Sequence, residues 1–130
     1  ILVVDDDPSV QRFIADVFGD EIHAIATSSG CAALEEIARD AFDAVFIELS
    51  LPGAPDGVDV FRRITAHNPI APRVLFMTEH PQLAAAVEGM TSRVCILKPL
   101  SREALISALD TAPREPTVRR ISTTQRRVKL

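Results

Sequence analysis

The sequence lacks the features that mark membrane, disordered and disulfide-bonded proteins. It contains no Trp, no Tyr and two Cys among 130 residues. No apolar run approaches the roughly 20 residues that a membrane span requires, and no basic segment followed by an apolar one marks an export leader. No internal repeat or low-complexity stretch is present. With 47% hydrophobic and 25% charged residues, the chain has the composition of one globular domain, which we expect in the cytoplasm without membrane contact.

The two cysteines do not form a recognisable motif. Cys31 and Cys95 lie far apart in the sequence and lack the close spacing of metal-binding or redox pairs. In a reducing compartment such residues behave as small apolar side chains. We therefore predict that both are buried and that they do not form a disulfide.

Charge is divided unevenly between the body of the chain and its last residues. Residues 1–112 contain eight Lys or Arg and 17 Asp or Glu, a net charge of −9, whereas residues 113–130 contain six and one, a net charge of +5. This second segment, the basic tail, is interpreted as a linker to an output domain or as an arm that docks on an acidic surface. Nucleic-acid contact is the alternative, because Lys and Arg clusters bind phosphates. The tail has no aromatic residue and no recognition motif, which favours the linker or docking arm.

Strand-like and helix-like segments alternate along residues 1–112. Short apolar runs rich in β-branched residues are typical of strands buried on both faces. The predicted strands are Ile1–Val4, Ile22–Ala26, Ala44–Ile47, Arg73–Met77 and Val94–Leu97. Apolar residues at helical spacing predict five helices, which begin near Pro8, Ser28 or Ser29, Val58, Pro81 and Ser101. This alternation, with short loops and right-handed crossovers, predicts a doubly wound α/β domain.

Four of the predicted strands end in polar residues. The first is followed by Asp5–Asp7, and the third, fourth and fifth are followed by Glu48, Thr78 and Lys98. The carboxyl ends of parallel strands form the crevice in which ligands bind. We therefore expect carboxylates, a hydroxyl and an ammonium group in one pocket, a set that suits phosphoryl chemistry. Taken alone, Asp5–Asp7 could simply end a strand and begin a helix, and Asp7 is assigned only that role.

These motifs resemble the receiver domain of bacterial two-component response regulators. The likeness covers about residues 1–112 and rests on Val4-Asp5-Asp6-Asp7, Phe46-Ile47-Glu48-Leu49, Phe76-Met77-Thr78 and Ile96-Leu97-Lys98-Pro99. It implies a flavodoxin-like, five-stranded parallel sheet in the order 2-1-3-4-5 with five helices. It also implies a signalling module rather than an enzyme. The implied partner is a histidine kinase or a downstream output domain or protein, and nucleic acid would be reached only through such a domain.

A homodimer is a further implication of the resemblance. In the family, the fourth helix, fifth strand and fifth helix form the usual partner surface. Leu83, Val87 and Met90 lie in that region, but their helical spacing is explained equally well by burial in the core. The sequence leaves both interpretations open.

The resemblance assigns roles to the polar residues at the strand ends. The carboxylate at position 48 would accept the phosphoryl group, with Thr78 and Lys98 contacting the phosphoryl oxygens. The bond between Lys98 and Pro99 would be cis and would aim the lysine into the pocket. Lys98 could instead simply pair with Asp5 or Asp6, and the two roles are compatible.

Magnesium is the metal that the resemblance implies. Asp6, Glu48 and the Ser50 carbonyl would bind Mg²⁺ directly, and Asp5 would bind it through water. Mg²⁺ prefers oxygen ligands and retains several waters. Three neighbouring carboxylates also favour a cation because like charges repel. Lys98 could reach the same carboxylates and compete with the metal ion.

Two departures from the family pattern lie at the phosphoacceptor position and beside it. Glu48 stands where the family has aspartate, and its carboxylate is extended by roughly 1.5 Å, whereas phosphoryl transfer needs reacting atoms about 3–3.5 Å apart. The longer side chain can instead reach Lys98 and Thr78 and imitate a phosphorylated aspartate. Glu79 stands where a small residue usually guards phosphate access, so its bulk and charge would oppose an incoming donor.

Two further departures concern the loop and the switch. Residues 49–57 form a loop one residue longer than the usual pattern. Cys95 replaces the aromatic switch residue, and it has no ring that could move inward toward Thr78. The usual coupling between the site and the partner surface is therefore predicted to be absent or rewired.

Together these features favour an atypical receiver domain that works independently of phosphorylation, with Glu48 imitating the phosphorylated state. The alternative is a functional, Mg²⁺-dependent phosphoacceptor domain that a histidine kinase phosphorylates at Glu48. A hydrolase of related architecture with Asp5 as nucleophile is disfavoured, because no substrate-binding cap or further catalytic motif is visible.

Overall fold

Five parallel strands form the centre of the molecule. In the computed structural model, which describes residues 1–67 and 71–112, they are β1 (Leu2–Val4), β2 (Ile25–Thr27), β3 (Ala44–Glu48), β4 (Arg73–Thr78) and β5 (Cys95–Leu97). They are ordered β2-β1-β3-β4-β5, and every neighbouring pair is parallel. The predicted fold class and strand order are therefore confirmed.

Five helices connect and follow the strands. They are α1 (Pro8–Phe18), α2 (Gly30–Arg39), α3 (Gly57–His67), α4 (Pro81–Thr91) and α5 (Arg102–Thr111). In the part of the chain that the structure describes, none of these helices has the length and apolarity needed to cross a bilayer. The basic tail lies outside the described residues.

Side chains placed just before three helices fix where those helices begin. Asp7 caps α1 by accepting a hydrogen bond from the Ser9 amide at 2.9 Å. Ser29, rather than Ser28, caps α2, and Ser101 caps α5. Such caps satisfy backbone N–H groups that have no partner within the helix. The predicted starts of these three helices therefore rest on identifiable capping groups.

Alternate residues of each strand pack on opposite faces of the sheet. The face covered by α2, α3 and α4 holds one core cluster, which includes Val4, Val45, Ile47, Val74 and Phe76. The face covered by α1 and α5 holds a second, which includes Val3, Phe46, Leu75 and Met77. β3 is buried along its whole length, so the strand that ends at Glu48 lies between the two core clusters.

The second strand begins later than predicted. The sequence indicated Ile22–Ala26, whereas β2 comprises Ile25–Thr27. β1 has three residues, and its first residue, Leu2, pairs in register with Ile25. A 3-10 turn at Gly19–Glu21 follows α1 and precedes the segment that leads into β2.

The prediction for Cys31 is wrong. Its side chain is exposed, because the buried residues of α2 are Gly30 and Ala33 and position 31 lies on another side of the helix. Cys95 is partly buried on β5 rather than fully buried, and both thiols are free. The absence of a disulfide between them agrees with the prediction.

Two glycines allow close packing of the loop between β3 and α3. A Cβ atom at Gly57 would lie 2.6 Å from the carbonyl oxygen of Glu48, and one at Gly30 would overlap the carbonyl oxygen of Pro55. Pro55 is buried and follows a cis bond from Ala54, which was not predicted. The loop is thus packed directly against the start of α2.

Candidate functional site

Polar residues from four strand ends meet at the carboxyl edge of the sheet. Asp5 follows β1, Glu48 ends β3, Thr78 ends β4, and Lys98 follows β5. The Lys98 amide donates to the Thr78 carbonyl oxygen at 2.8 Å, which joins the ends of β4 and β5. The peptide bond between Lys98 and Pro99 is cis, as predicted from the resemblance. Parallel pairing therefore gathers the residues expected in one crevice.

Lys98 binds two carboxylates at the centre of this crevice. Its Nζ lies 2.8 Å from Asp5 Oδ2 and 2.5 Å from Glu48 Oε1. The exposed fractions of the side chains are 11% for Lys98, 1% for Asp5 and 9% for Glu48. We call these three residues the ion-pair cluster. One ammonium group between two carboxylates leaves the cluster with one excess negative charge.

The surroundings shift the pKa values of two members of the cluster. Burial would lower the pKa of Lys98, but its hydrogen bonds to Asp5 and Glu48 outweigh burial and raise the pKa above its usual range. Burial raises the pKa of Asp5, and hydrogen bonds from Lys98 and from the Asp7 amide oppose that rise. The lysine is therefore held firmly in its charged form.

Both oxygens of Glu48 are engaged. Oε1 accepts from Lys98, and Oε2 accepts from the Ser50 amide at 2.9 Å. The Ser50 N–H therefore contacts Glu48, and the role of the Ser50 carbonyl oxygen as a metal ligand stays a prediction. Glu48 is thus fixed by one charged and one neutral donor.

Thr78 is buried beside the cluster but bonds elsewhere. Its hydroxyl oxygen accepts from the His80 amide at 3.2 Å. Among the hydrogen bonds of residues 1–67 and 71–112, none joins Thr78 to Glu48. The structure therefore brings Glu48 together with Lys98 but does not hydrogen-bond Glu48 to Thr78.

The described residues do not form the predicted metal site as they stand. Asp5, Asp6 and Glu48 supply the oxygen ligands that suit Mg²⁺. However, the carboxylates of Asp5 and Glu48 are taken up by Lys98, and Asp6 is exposed. Within residues 1–67 and 71–112, no group of three His, Cys, Asp or Glu side chains is placed to hold a metal ion. In this arrangement Lys98 occupies carboxylate oxygens that the predicted site would use, and the Mg²⁺ site stays a prediction.

Glu79 directly follows Thr78, and Cys95 begins β5 three residues before Lys98. Glu79 follows Thr78 and is exposed, as a residue at the entrance would be. Cys95 is half-buried, and burial together with the charges of Glu88 and Glu48 raises the pKa of its thiol to about 12. The Cys95 amide also donates to a Glu88 carboxylate oxygen at 3.1 Å, which ties β5 to α4.

Aromatic packing next to Cys95 was not foreseen from the sequence. Phe76 pairs in register with Cys95, and its ring meets that of Phe61 edge-on at 5.5 Å. The guanidinium group of Arg93 lies 5.5 Å from the centre of the Phe61 ring. Phe61 is part of the helical spacing of α3, which predicts a core residue but cannot identify its partner.

Gln11 is the other residue that sequence reasoning missed. Its side-chain amide donates to the Asp5 carbonyl oxygen at 2.7 Å. A polar residue on an amphipathic helix carries no signal of such a contact. The one available hint is its position in the turn of α1 that follows the acidic residues.

The comparisons with known proteins agree with this geometry. The model of the response regulator receiver domain matches residues 1–110. The response regulator protein FleR of Pseudomonas aeruginosa is 32% identical over 111 residues, which cover 82% of this chain and 23% of that protein. The positive alginate biosynthesis regulatory protein of the same species is 29% identical over 118 residues, covering 88% of this chain and 47% of that protein.

A solved structure extends the comparison to the fold. The receiver domain of NtrX from Brucella abortus is 28% identical and superposes with a TM-score of 0.72, covering 85% of this chain and 98% of that one. The chain spans about a quarter and about half of the lengths of the two curated relatives. The chain therefore belongs to the response regulator receiver domain family of two-component signalling.

Proposed function

We propose that this receiver domain signals independently of phosphorylation and that Glu48 holds it in one state. The observation that carries the proposal is the buried contact of 2.5 Å between Glu48 and Lys98. Lys98 is the residue that the family resemblance assigns to the phosphoryl oxygens. In this chain Lys98 is already bound to the carboxylate of Glu48, the residue that the resemblance assigns to the acceptor position.

The same contact disfavours Glu48 as a phosphoryl acceptor. An attacking carboxylate oxygen must be free and aligned with the phosphorus atom at about 3–3.5 Å. Oε1 and Oε2 are both engaged, by Lys98 and by the Ser50 amide. Release of Oε1 would leave a buried carboxylate without its cation, which is costly. Exposed Glu79 adds negative charge where a phosphoryl donor would approach.

The imitation of a phosphorylated residue is partial. A carboxylate carries less charge and fewer oxygen atoms than a phosphoryl group. In agreement with this difference, Glu48 contacts Lys98 but Thr78 bonds to the His80 amide. The proposed state therefore depends on the lysine contact alone and not on a threonine movement.

The proposed partners are proteins. We propose a histidine kinase or an output domain as the partner, because the chain spans less than half of the length of each curated relative. A homodimer through α4, β5 and α5 would use the exposed Leu83, Met90, Leu97 and Ile106, whereas Val87 is buried and belongs to the core. Nucleic-acid contact is proposed only through an output domain, and the module is proposed to act in the cytoplasm without catalysing turnover.

The state of the domain can be measured by backbone amide NMR. Glu48→Gln keeps the length of the side chain and removes its charge, and Glu35→Gln makes the same change at an exposed position of α2. If Glu48 sets the state, Glu48→Gln shifts amide resonances as far away as α4 and β5, and the control does not. Shifts confined to residues around position 48 would contradict the proposal.

The alternative, a Mg²⁺-dependent phosphoacceptor domain, makes a different prediction in the same experiment. In that case the native spectrum corresponds to an unmodified switch. Adding a phosphoryl donor with Mg²⁺ would then change the native spectrum at α4 and β5. Under the proposed function the native spectrum does not respond to the donor.

A further inference from the structure

The side-chain amide of Gln11 contacts three acceptors, one of which belongs to Asp5 of the ion-pair cluster. Its Nε2 donates to the Asp5 carbonyl oxygen at 2.7 Å. The same nitrogen lies 3.3 Å from the Thr27 carbonyl oxygen and 3.3 Å from the Ser28 hydroxyl oxygen. An amide nitrogen carries two hydrogens, and it has no lone pair to offer as an acceptor. One group from α1 therefore links the loop after β1 with the end of β2.

Gln11 supplies a hydrogen bond that the sheet does not. β1 ends at Val4, and the amide of the next residue, Asp5, donates to the Thr27 carbonyl oxygen at 3.1 Å. The carbonyl oxygen of Asp5 lies beyond the last strand residue, and Gln11 is its donor. Because Asp5 is 1% exposed, loss of that donor would leave a poorly hydrated carbonyl group.

The main chain of Asp5 determines where its carboxylate lies. Oδ1 accepts from the Asp7 amide at 2.9 Å, and Oδ2 accepts from Lys98 at 2.8 Å. Lys98 in turn contacts Glu48 at 2.5 Å. A change at Gln11 can therefore reach Glu48 through Asp5 and Lys98, although the hydrogen bonds of Gln11 go to Asp5, Thr27 and Ser28 and not to Lys98 or Glu48.

We propose that Gln11 is a positioning residue for the ion-pair cluster and acts by fixing the main chain of Asp5. Without its amide donors, the loop after β1 shifts and the contact between Asp5 and Lys98 loosens. The consequence for signalling rests on the proposed function, because the cluster matters to a partner only if Glu48 sets the state of the domain. The positioning itself does not depend on that function.

Chemical labelling of lysine tests the positioning directly. The sequence contains two lysines, Lys98 and Lys129, so an amine-acylating reagent reports on Lys98 with one internal standard. The native chain and Gln11→Met are labelled at one fixed pH, and the peptides are quantified by mass spectrometry. Methionine has a similar length and no donor. We expect Lys98 labelling relative to Lys129 to rise about fivefold, the factor expected for loss of one ordinary hydrogen bond.

Two control variants and one second reagent separate positioning from general destabilisation. Arg12→Met makes the same type of change at an exposed neighbouring position and leaves Lys98 labelling unchanged. Gln11→Arg retains N–H donors and keeps most of the native protection. Alkylation of half-buried Cys95 reports opening of the whole domain and is expected to stay at its native rate in Gln11→Met.

Two results would overturn the inference. In the first, Gln11→Met labels Lys98 at the native rate. In the second, Lys98 acylation and Cys95 alkylation rise by the same factor, which would assign Gln11 a role in stability only. Neither readout involves a phosphoryl group or a partner, so a failure of the proposed function would leave this test unaffected.

Discussion

Lys98 Nζ lies 2.5 Å from Oε1 of Glu48, and the two side chains expose 11% and 9% of their surface. The ammonium group that the resemblance assigns to a phosphoryl group is thus bound to the residue that the resemblance assigns to the acceptor position. A buried ion pair adds little to stability by comparison with apolar packing, but removal of one partner is costly. A single substitution that removes one partner should therefore cause a measurable loss of stability.

Replacement of Lys98 by methionine should destabilise the domain. Lys98→Met leaves the carboxylates of Asp5 and Glu48 buried without their cation, and we expect the free energy of unfolding to fall by about 3 kcal/mol. Urea denaturation followed by circular dichroism measures the change. Lys98→Arg keeps the charge and is expected to lose less. A loss below about 1 kcal/mol for Lys98→Met would show that the pair resembles an exposed ion pair.

The stabilisation by Lys98 should disappear in alkali. The pKa of Lys98 is raised in the folded state above the usual value of 10.5, so the folded state binds this proton more tightly than the unfolded state. The contribution is complete below pH 10.5 and is lost as the pH rises through the higher pKa of the folded state. The stability difference between the native chain and Lys98→Met should therefore shrink above pH 10.5. A stability difference between the two proteins that stays constant above pH 10.5 would contradict the raised pKa of Lys98.

The two thiols should react at very different rates. Cys31 is exposed, whereas Cys95 is half-buried and its thiol pKa is raised to about 12 from 9.0. Because the thiolate is the reactive form, Cys95 should be alkylated at least about a hundredfold more slowly than Cys31 at about pH 8. Peptide mass spectrometry after a timed iodoacetamide pulse gives both rates. Similar rates in the folded protein would refute the assigned environment of Cys95.

Close packing of the loop after β3 should make the replacement of Gly30 destabilising. In Gly30→Ala the new Cβ would overlap the Pro55 carbonyl oxygen, so the loop must shift. We expect a loss of about 1–3 kcal/mol, typical of overpacking. Gly89→Ala in α4 is the matched control, because nothing lies within 4 Å of its Cβ and alanine favours a helix. Equal thermal melting of the two variants would argue against the close contact.

The sequence predicted the fold well because the strands of a doubly wound sheet are short apolar runs. β3 and β4 begin at the predicted residues Ala44 and Arg73. The start of β2 was wrong because Ile22 looks like a strand residue, although pairing with β1 begins at Ile25. An apolar residue shows that a position can be buried, but the register of the neighbouring strand decides whether it pairs.

The sequence predicted which charged residues meet at the site, but not all of the hydrogen bonds that hold them there. Parallel strands were sufficient to bring Asp5, Glu48 and Lys98 together. That the Ser50 amide donates to Glu48 depends on the turn after β3, which the sequence does not determine. The bond from Gln11 to Asp5 depends on the position of α1 relative to the sheet, and side-chain type alone gives no information about it.

Intact-protein mass after incubation with acetyl phosphate and Mg²⁺ tests the central claim most directly. The native chain is compared with Glu48→Asp, which shortens the side chain by about 1.5 Å, the length of one C–C bond, and frees Lys98 from its contact with position 48. We predict no phosphoryl adduct on the native chain and an adduct on Glu48→Asp. An adduct on native Glu48 would contradict the account and restore a phosphorylation-dependent switch.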